Sequence, residues 1–345
     1  MGVCSMQAEE VKYECVHFCR RRVNPMTASR EDRKGQFRTI YEELNRDFRI
    51  YIKDLAKVLM IDRDTASRRL REALTEGIIT SPQLRKRSYA DFKEYAYLVK
   101  CENPLPLFKQ YKEDEDVVYH AVMSGFADLW IISKKKIDIK GVIVGGLRSD
   151  YHVAYAPNHS WGKAIQTMWE MIENFNPETY KPKGIIETHW DETLEWWDAQ
   201  FEALYGQFKF NGRRKFSPVM RECHVSSDKI YRFLENLPEC CSVFTRYFPN
   251  SIAAYDPYLF MLETDYEDFL IELLSELPTS SFFFKATDKL FVLASVERSS
   301  MRNFDLDMSD ISQLHIPLII DNLISRGILK RGVHAIVEYS WSKDL

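Results

Sequence analysis

Long apolar runs are missing from this chain of 345 residues. None reaches the roughly eighteen residues that a membrane-spanning helix needs, so no membrane partner is expected. Glycine-rich phosphate loops, cysteine pairs at metal-ligand spacing and a nucleophile placed beside a base are also missing. No catalytic residue, cofactor or metal can therefore be assigned from motifs, and the expectation is a protein that is not an enzyme. Cysteines number seven, odd and irregularly spaced, which suggests reduced thiols rather than a disulfide framework. The opening MGVCSMQAEEVKYEC is acidic and carries no apolar signal-peptide core, so a cytoplasmic location is expected.

What is present is an ordinary globular composition, 45% hydrophobic, with a net charge of -4. The charge is unevenly spread. Residues 1–100 hold 21 Lys/Arg against 15 Asp/Glu, a surplus of six, while the rest holds 26 against 36, a deficit of ten. A basic first segment on an acidic chain is the footprint expected where one region meets nucleic acid.

That segment contains DLAKVLMIDRDTASRRLREALTEGII, residues 54–79. Leu55, Ala56 and Leu59 share one face of a short helix, Ile61 closes a turn, and Asp62 stands where an N-cap belongs. Ala66, Leu70, Ala73 and Leu74 keep helical spacing on a second helix, leaving Arg63, Thr65, Ser67, Arg68 and Arg71 on its outer stripe. Such a helix suits the DNA major groove, with Arg63 or Arg68 the guanine reader and Arg71 on phosphate. Gly77 caps the helix, Ile78-Ile79 opens a strand, and Arg85-Lys86-Arg87 forms a basic wing for the backbone.

The remaining pattern divides the chain. Residues 1–34 read as a helical extension. Its Cys15, His17 and Cys19 do not share a helical face, which argues against zinc. Residues 35–92 are the winged helix-turn-helix and 93–157 a strand–helix–hairpin–strand unit of ferredoxin-like order. Residues 158–188 are a connector helix and linker. The plan then repeats with a shift of 164 positions: a second winged helix over 189–250 and a second sandwich over 251–345. Trp190, Leu194, Trp197, Phe201, Leu204 and Phe208 supply the second leading helix, and Ser226 is the second N-cap. Ser227, Lys229 and Arg232 are the second reading residues, with Arg213, Arg214 and Lys215 on the backbone. The predicted fold class is α+β: two winged helix-turn-helix domains alternating with two ferredoxin-like βαββαβ sandwiches.

Taken with its wing and the Gly125-Phe126-Ala127-Asp128 turn, this arrangement resembles the Lrp/AsnC (feast/famine) transcription regulators, as a tandem duplication. The family's turn glycine is replaced by Met60 in the first copy and His224 in the second. The resemblance implies a winged helix joined to a RAM-type sandwich and double-stranded DNA as partner. It also implies an effector such as an amino acid near Gly125, Asp128 and Asp288, and an intrachain pseudo-dimer, with further homo-oligomerisation open. Two alternatives stand beside it. Siroheme decarboxylases resemble the same family, and Tyr119-His120 with Asp128-Leu129-Trp130 is faintly similar to theirs, although no His-Asn-Tyr run is present. A non-DNA-binding interaction protein is the other.

Overall fold

The computed structural model describes residues 30–298 and 312–343. Cys15, His17, Cys19 and the Arg20–Arg22 run lie outside the described residues. The fold is α+β.

Three helices open it: α1 (Arg30–Arg46), α2 (Ile52–Val58) and α3 (Arg63–Thr75). They pack because each offers an apolar stripe, and Ile40, Leu44, Leu55, Ala66, Leu70 and Ala73 form one buried cluster. The Asp62 carboxylate accepts from the Thr65 amide at 2.8 Å, which starts α3. Gly77, at φ +68°, ends it. Strand β1 (Gln83–Lys86) follows, then β2 (Tyr95–Val99), α4 (Pro104–Glu113), β3 (Val117–Gly125), β4 (Leu129–Ser133), β5 (Val142–Leu147), β6 (His152–Val153) and α5 (Trp161–Asn174).

The second copy starts with α6 (Ala199–Phe208), α7 (Phe216–Cys223) and α8 (Ser227–Cys240), and β7 (Cys241–Phe244) takes the place of β1. Helix α6 is shorter than the apolar spacing from Trp190 predicts. Asp198 accepts from the Phe201 amide at 2.8 Å and fixes the start there. Ser226 caps α8 through the Lys229 amide at 3.3 Å. Then come β8 (Tyr255–Glu263), α9 (Glu267–Ser275), β9 (Phe282–Ala286), β10 (Lys289–Glu297), α10 (Ser312–Ser325) and β11 (Arg331–Ser342).

Nine strands form one sheet in the order β5-β2-β4-β3-β11-β8-β10-β9-β6. Each half places its fourth strand beside its first, then its third and second. The halves join where β11 pairs antiparallel with β3, from Ala335↔Gly125 to Ser342↔Tyr119. The far ends also approach, since Arg148 bridges Ala286 beyond β5 and β9. The sheet therefore curls until its two inner faces meet. Leu98, Met123, Trp130 and Val144 from one half share a core with Leu259, Met261, Phe284 and Phe291 from the other. Trp130 and Phe284 stack across it, ring centres 5.8 Å apart and 3° from parallel. Helices α5, α9 and α10 cover the outer face of the second half. Beyond one end of this core, β1 and β7 pair with each other antiparallel, register Arg85↔Ser242, and bind the two three-helix heads together.

Candidate functional site

Between the inner sheet face and the second head lies a cavity of about 300 Å³. That size is at the lower end for small-molecule sites. Tyr119, Trp130, Ile132, Phe282, Phe284 and Leu293 line it from the sheet, and Tyr151 from the segment after β5. Arg85 and Lys86 reach it from β1, and Glu202, Tyr205, Gly206, Lys209 and Phe210 from α6 and its end. Lys134, Arg246 and Lys343, with Gln83, Glu94, Val118 and Ser342, complete the lining. Six cationic side chains thus face the space against two carboxylates, Glu94 and Glu202. Both carboxylates are engaged: Glu94 with Arg148 at 2.7 Å, and Glu202 with Lys86.

Arg246 is the decisive residue. It is half-buried, and desolvation and then the nearby Arg85 lower its guanidinium pKa to about 10. One nitrogen donates to Ser295 Oγ at 3.2 Å, and its Nε is buried without a partner. Among the described residues no carboxylate pairs with it or with Arg85, which donates to the Leu84 carbonyl at 2.9 Å. The Trp130 indole N–H is likewise buried and unpartnered. The guanidinium lies over the Phe248 and Phe282 rings at 4.8 and 5.1 Å, which offsets only part of the cost of desolvating it. An anion seated between Arg85 and Arg246 would offset much of that cost.

The hydroxyls of the cavity hold their protons. Burial pushes Tyr119, Tyr151 and Tyr205 well above the usual phenol range. Arg148, fully buried, stacks 4.0 Å over the Tyr151 ring while its Nε and Nη2 reach Glu94 at 3.0 and 2.7 Å. It neutralises the one cavity carboxylate that would repel an anion from that side. His120 faces the opposite side of the sheet, packed 4.2 Å from Phe108, so no described histidine lines the cavity.

The residues expected on DNA separate into two groups. Arg63, Arg68 and Arg71 are exposed on α3, and Thr65 and Ser67 are half-buried beside them. Arg68 Nε lies 3.7 Å from Glu72. The wing differs from expectation. Arg85 turns into the cavity, and Lys86 lies among the Phe92, Trp197 and Tyr205 rings at 4.5, 5.2 and 4.7 Å. Arg87 donates to Glu187 at 2.9 Å and to Asp150 at 3.2 Å. The reason is the β1–β7 pairing, which turns both wings toward each other instead of leaving them at the rim.

The second head differs too. Arg213 donates to the carbonyls of Phe48 and Ile50 at 2.9 and 2.8 Å, fastening one head to the other. Arg214 pairs with Glu222 at 2.9 Å, and Lys229 pairs with Asp198 over the Phe201 ring. Lys215 and Arg232 stay exposed, and Ser227 is half-buried.

Gly125, Asp128 and Asp288, the residues expected near an effector, all lie away from this cavity's lining. Gly125, at φ +147°, makes room for β11: a Cβ there would lie 2.4 Å from the His334 carbonyl. Asp128 accepts from the Cys101 amide at 2.7 Å and pairs with Lys100, and Asp288 pairs with Lys289 at the next hairpin. Both carboxylates serve turns.

No family model and no curated protein matches the chain. Two solved structures are similar to it, both of the siroheme decarboxylase NirDL, one in complex with an iron-uroporphyrin III analogue. Their TM-scores are 0.47 and 0.42, each at 10% identity over 89% of this chain and 92% of that one. A likeness at that level decides nothing about function, which rests on the geometry.

Sequence reasoning missed Arg246, Tyr151 and Tyr205. A signal for the first existed: in CSVFTRYF a single arginine interrupts an apolar and aromatic run, the pattern of a buried charge. A further group, Asp150, Glu187 and His189, brings ligand atoms within 4.8 Å of one another. Arg87 already supplies a cation to both carboxylates. Among the described residues no helix is long and apolar enough to cross a membrane.

Proposed function

We propose that this chain is a tandem pair of winged-helix and ferredoxin-like modules whose central cavity seats one carboxylate-bearing edge of a planar aromatic molecule of the tetrapyrrole class, the rest of the macrocycle lying outside it. The carrying observation is the Arg85–Arg246 pair, two cations facing aromatic walls with no carboxylate between them. The aromatic lining, Tyr119, Tyr151, Tyr205 and Phe210 among it, suits a π-system, and the rim lysines suit acidic substituents. Phosphate-rich ligands would satisfy the charge but not the aromatic wall.

Siroheme decarboxylases act on a ligand of this class. Decarboxylation here would break a C–C bond, release CO2 and leave the electron pair on carbon, which then takes a proton. Tyr119 and Tyr205 are the protonated hydroxyls that the cavity offers for that step. The test titrates the purified chain with uroporphyrin by tryptophan fluorescence, then incubates it with siroheme and follows the absorption spectrum. Saturable quenching that Arg246→Ala abolishes supports binding, and a spectral change with CO2 release supports catalysis. Quenching that is unaffected by Arg246→Ala removes the cavity assignment.

A second reading has its own observation: the exposed Arg63, Arg68 and Arg71 on α3 fit a DNA groove. With its wing turned inward the first head would hold DNA by this helix alone. A salt-dependent shift of a duplex, weakened by Arg71→Ala, supports it. Retention that does not depend on salt counts against it.

A further inference from the structure

Gly206 sits inside α6, where glycine weakens a helix, and nothing in the local structure requires it. Its φ is not positive, and a Cβ built there meets no atom within 4 Å. Residues 202, 205, 206 and 209 are spaced i, i+3, i+4, i+7, and all four line the cavity. Gly206 is therefore in the middle of the helix face that looks onto the cavity, and it is itself exposed.

The duplicated copy supplies a control. Shifted by 164 positions, this face becomes Arg38, Tyr41, Glu42 and Asn45 of α1. There the chain closes over its own helix. The Ala156 amide donates to Tyr41 Oη at 2.8 Å, Arg38 donates to Tyr155 Oη at 3.2 Å, and the Tyr41 and Tyr155 rings stack at 5.2 Å. In that copy the glycine position holds a glutamate. On the α6 face β1 covers the neighbours, with Lys86 on Glu202 and over the Tyr205 ring and the Leu84 amide donating to the Lys209 carbonyl. Nothing, however, comes within 4 Å of a Cβ at Gly206, and this face alone keeps the glycine.

We propose that Gly206 is the doorway of the cavity: the anionic aromatic ligand enters over the middle of α6, through the space that a side chain at 206 would fill. This rests on the cavity reading and adds the route. The experiment uses the full chain, uroporphyrin as probe, and thermal melting beside tryptophan quenching. Gly206→Ala should melt higher than wild type and bind within about threefold of it. Gly206→Leu should melt no lower than wild type yet associate with the probe at least about tenfold more slowly. A merely structural glycine would give the reverse, lower melting with binding lost in proportion.

Should Gly206→Leu fail to fold, Gly206→Cys labelled after folding with a bulky maleimide gives the same block, against labelled wild type as control. A wild-type association rate in the leucine or labelled protein overturns the doorway. The two ideas separate cleanly. If Arg246→Ala loses binding and the blocked variants associate as fast as wild type, only the doorway falls. If wild type itself binds no uroporphyrin, the cavity reading and the doorway fall together.

Discussion

At the scale of single residues, the fold holds charges and backbone angles that stability alone would not select. Arg246 is the sharpest case. Its pKa falls to about 10, below its ordinary 12.5, so the folded state disfavours its charged form. The sign follows: the cost is fully present at neutral pH and is relieved only as pH rises past about 10. Replacing a desolvated charge that lacks a counter-ion by an apolar side chain removes that cost. Arg246→Met should therefore raise the ligand-free unfolding free energy in urea while abolishing uroporphyrin binding. A destabilised variant would mean that Arg246 serves the fold. Met60 gives a second residue-scale prediction. It adopts φ 53° and is 92% exposed, at the turn between α2 and α3. Left-handed backbone favours glycine, so Met60→Gly should stabilise by about 0.5–1 kcal/mol. The urea midpoint should rise with an unchanged slope. The departure from glycine was visible in the sequence, and the strained angle that it leaves in place required coordinates.

Single elements were legible where one local signal settled them. Asp62, Ser226 and Gly77 marked helix ends because capping depends on a residue and its next three neighbours. The fate of Arg85, Lys86 and Arg87 was not legible, since a basic wing reads the same whether it is free or paired with a strand 158 residues on. Strand β3 shows the same limit. Its alternation puts Tyr119 inward and His120 outward, but only the partner strands reveal that His120 is sealed against Phe108 and Trp341. Burial lowers its pKa below 6.5. The unfolded chain then binds the proton more readily, so stability is complete above about pH 6.5 and is lost as pH falls below it. The slope contributed by one such histidine is at most about 1.4 kcal/mol per pH unit. His152 and His334 are shifted the same way. His120→Leu should flatten the decline in urea stability between pH 7 and pH 5 without removing it. An unchanged slope would mean that His120 charges freely within the fold.

For the whole molecule, the two copies were readable as a repeat, whereas their union was not. The join is the β3–β11 ladder, between segments more than 200 residues apart and shifted by a bulge between Val337 and Tyr339. No local pattern encodes such a register. Its consequence is that neither copy has a complete core alone. Removing the second would expose the β3 edge and the inner faces of Leu98, Met123 and Trp130, which pack against Leu259, Met261 and Phe284. An uncovered edge beside an apolar face aggregates. Fragments 1–157 and 158–345 expressed singly should therefore be insoluble or misassembled. Co-expressed, they should recover a complex, because the interface is the core itself and not a tether. The cut falls in the exposed loop before α5 and spares β6, whose His152 and Val153 pair with β9 across the divide. The intact chain should in turn unfold in one transition, followed identically by tryptophan fluorescence and far-ultraviolet circular dichroism. Two separated transitions, or a first fragment that is soluble and cooperatively folded, would show two independent domains on a linker. The cavity, built from both halves at once, would then have no rigid frame to hold Arg246 opposite Arg85.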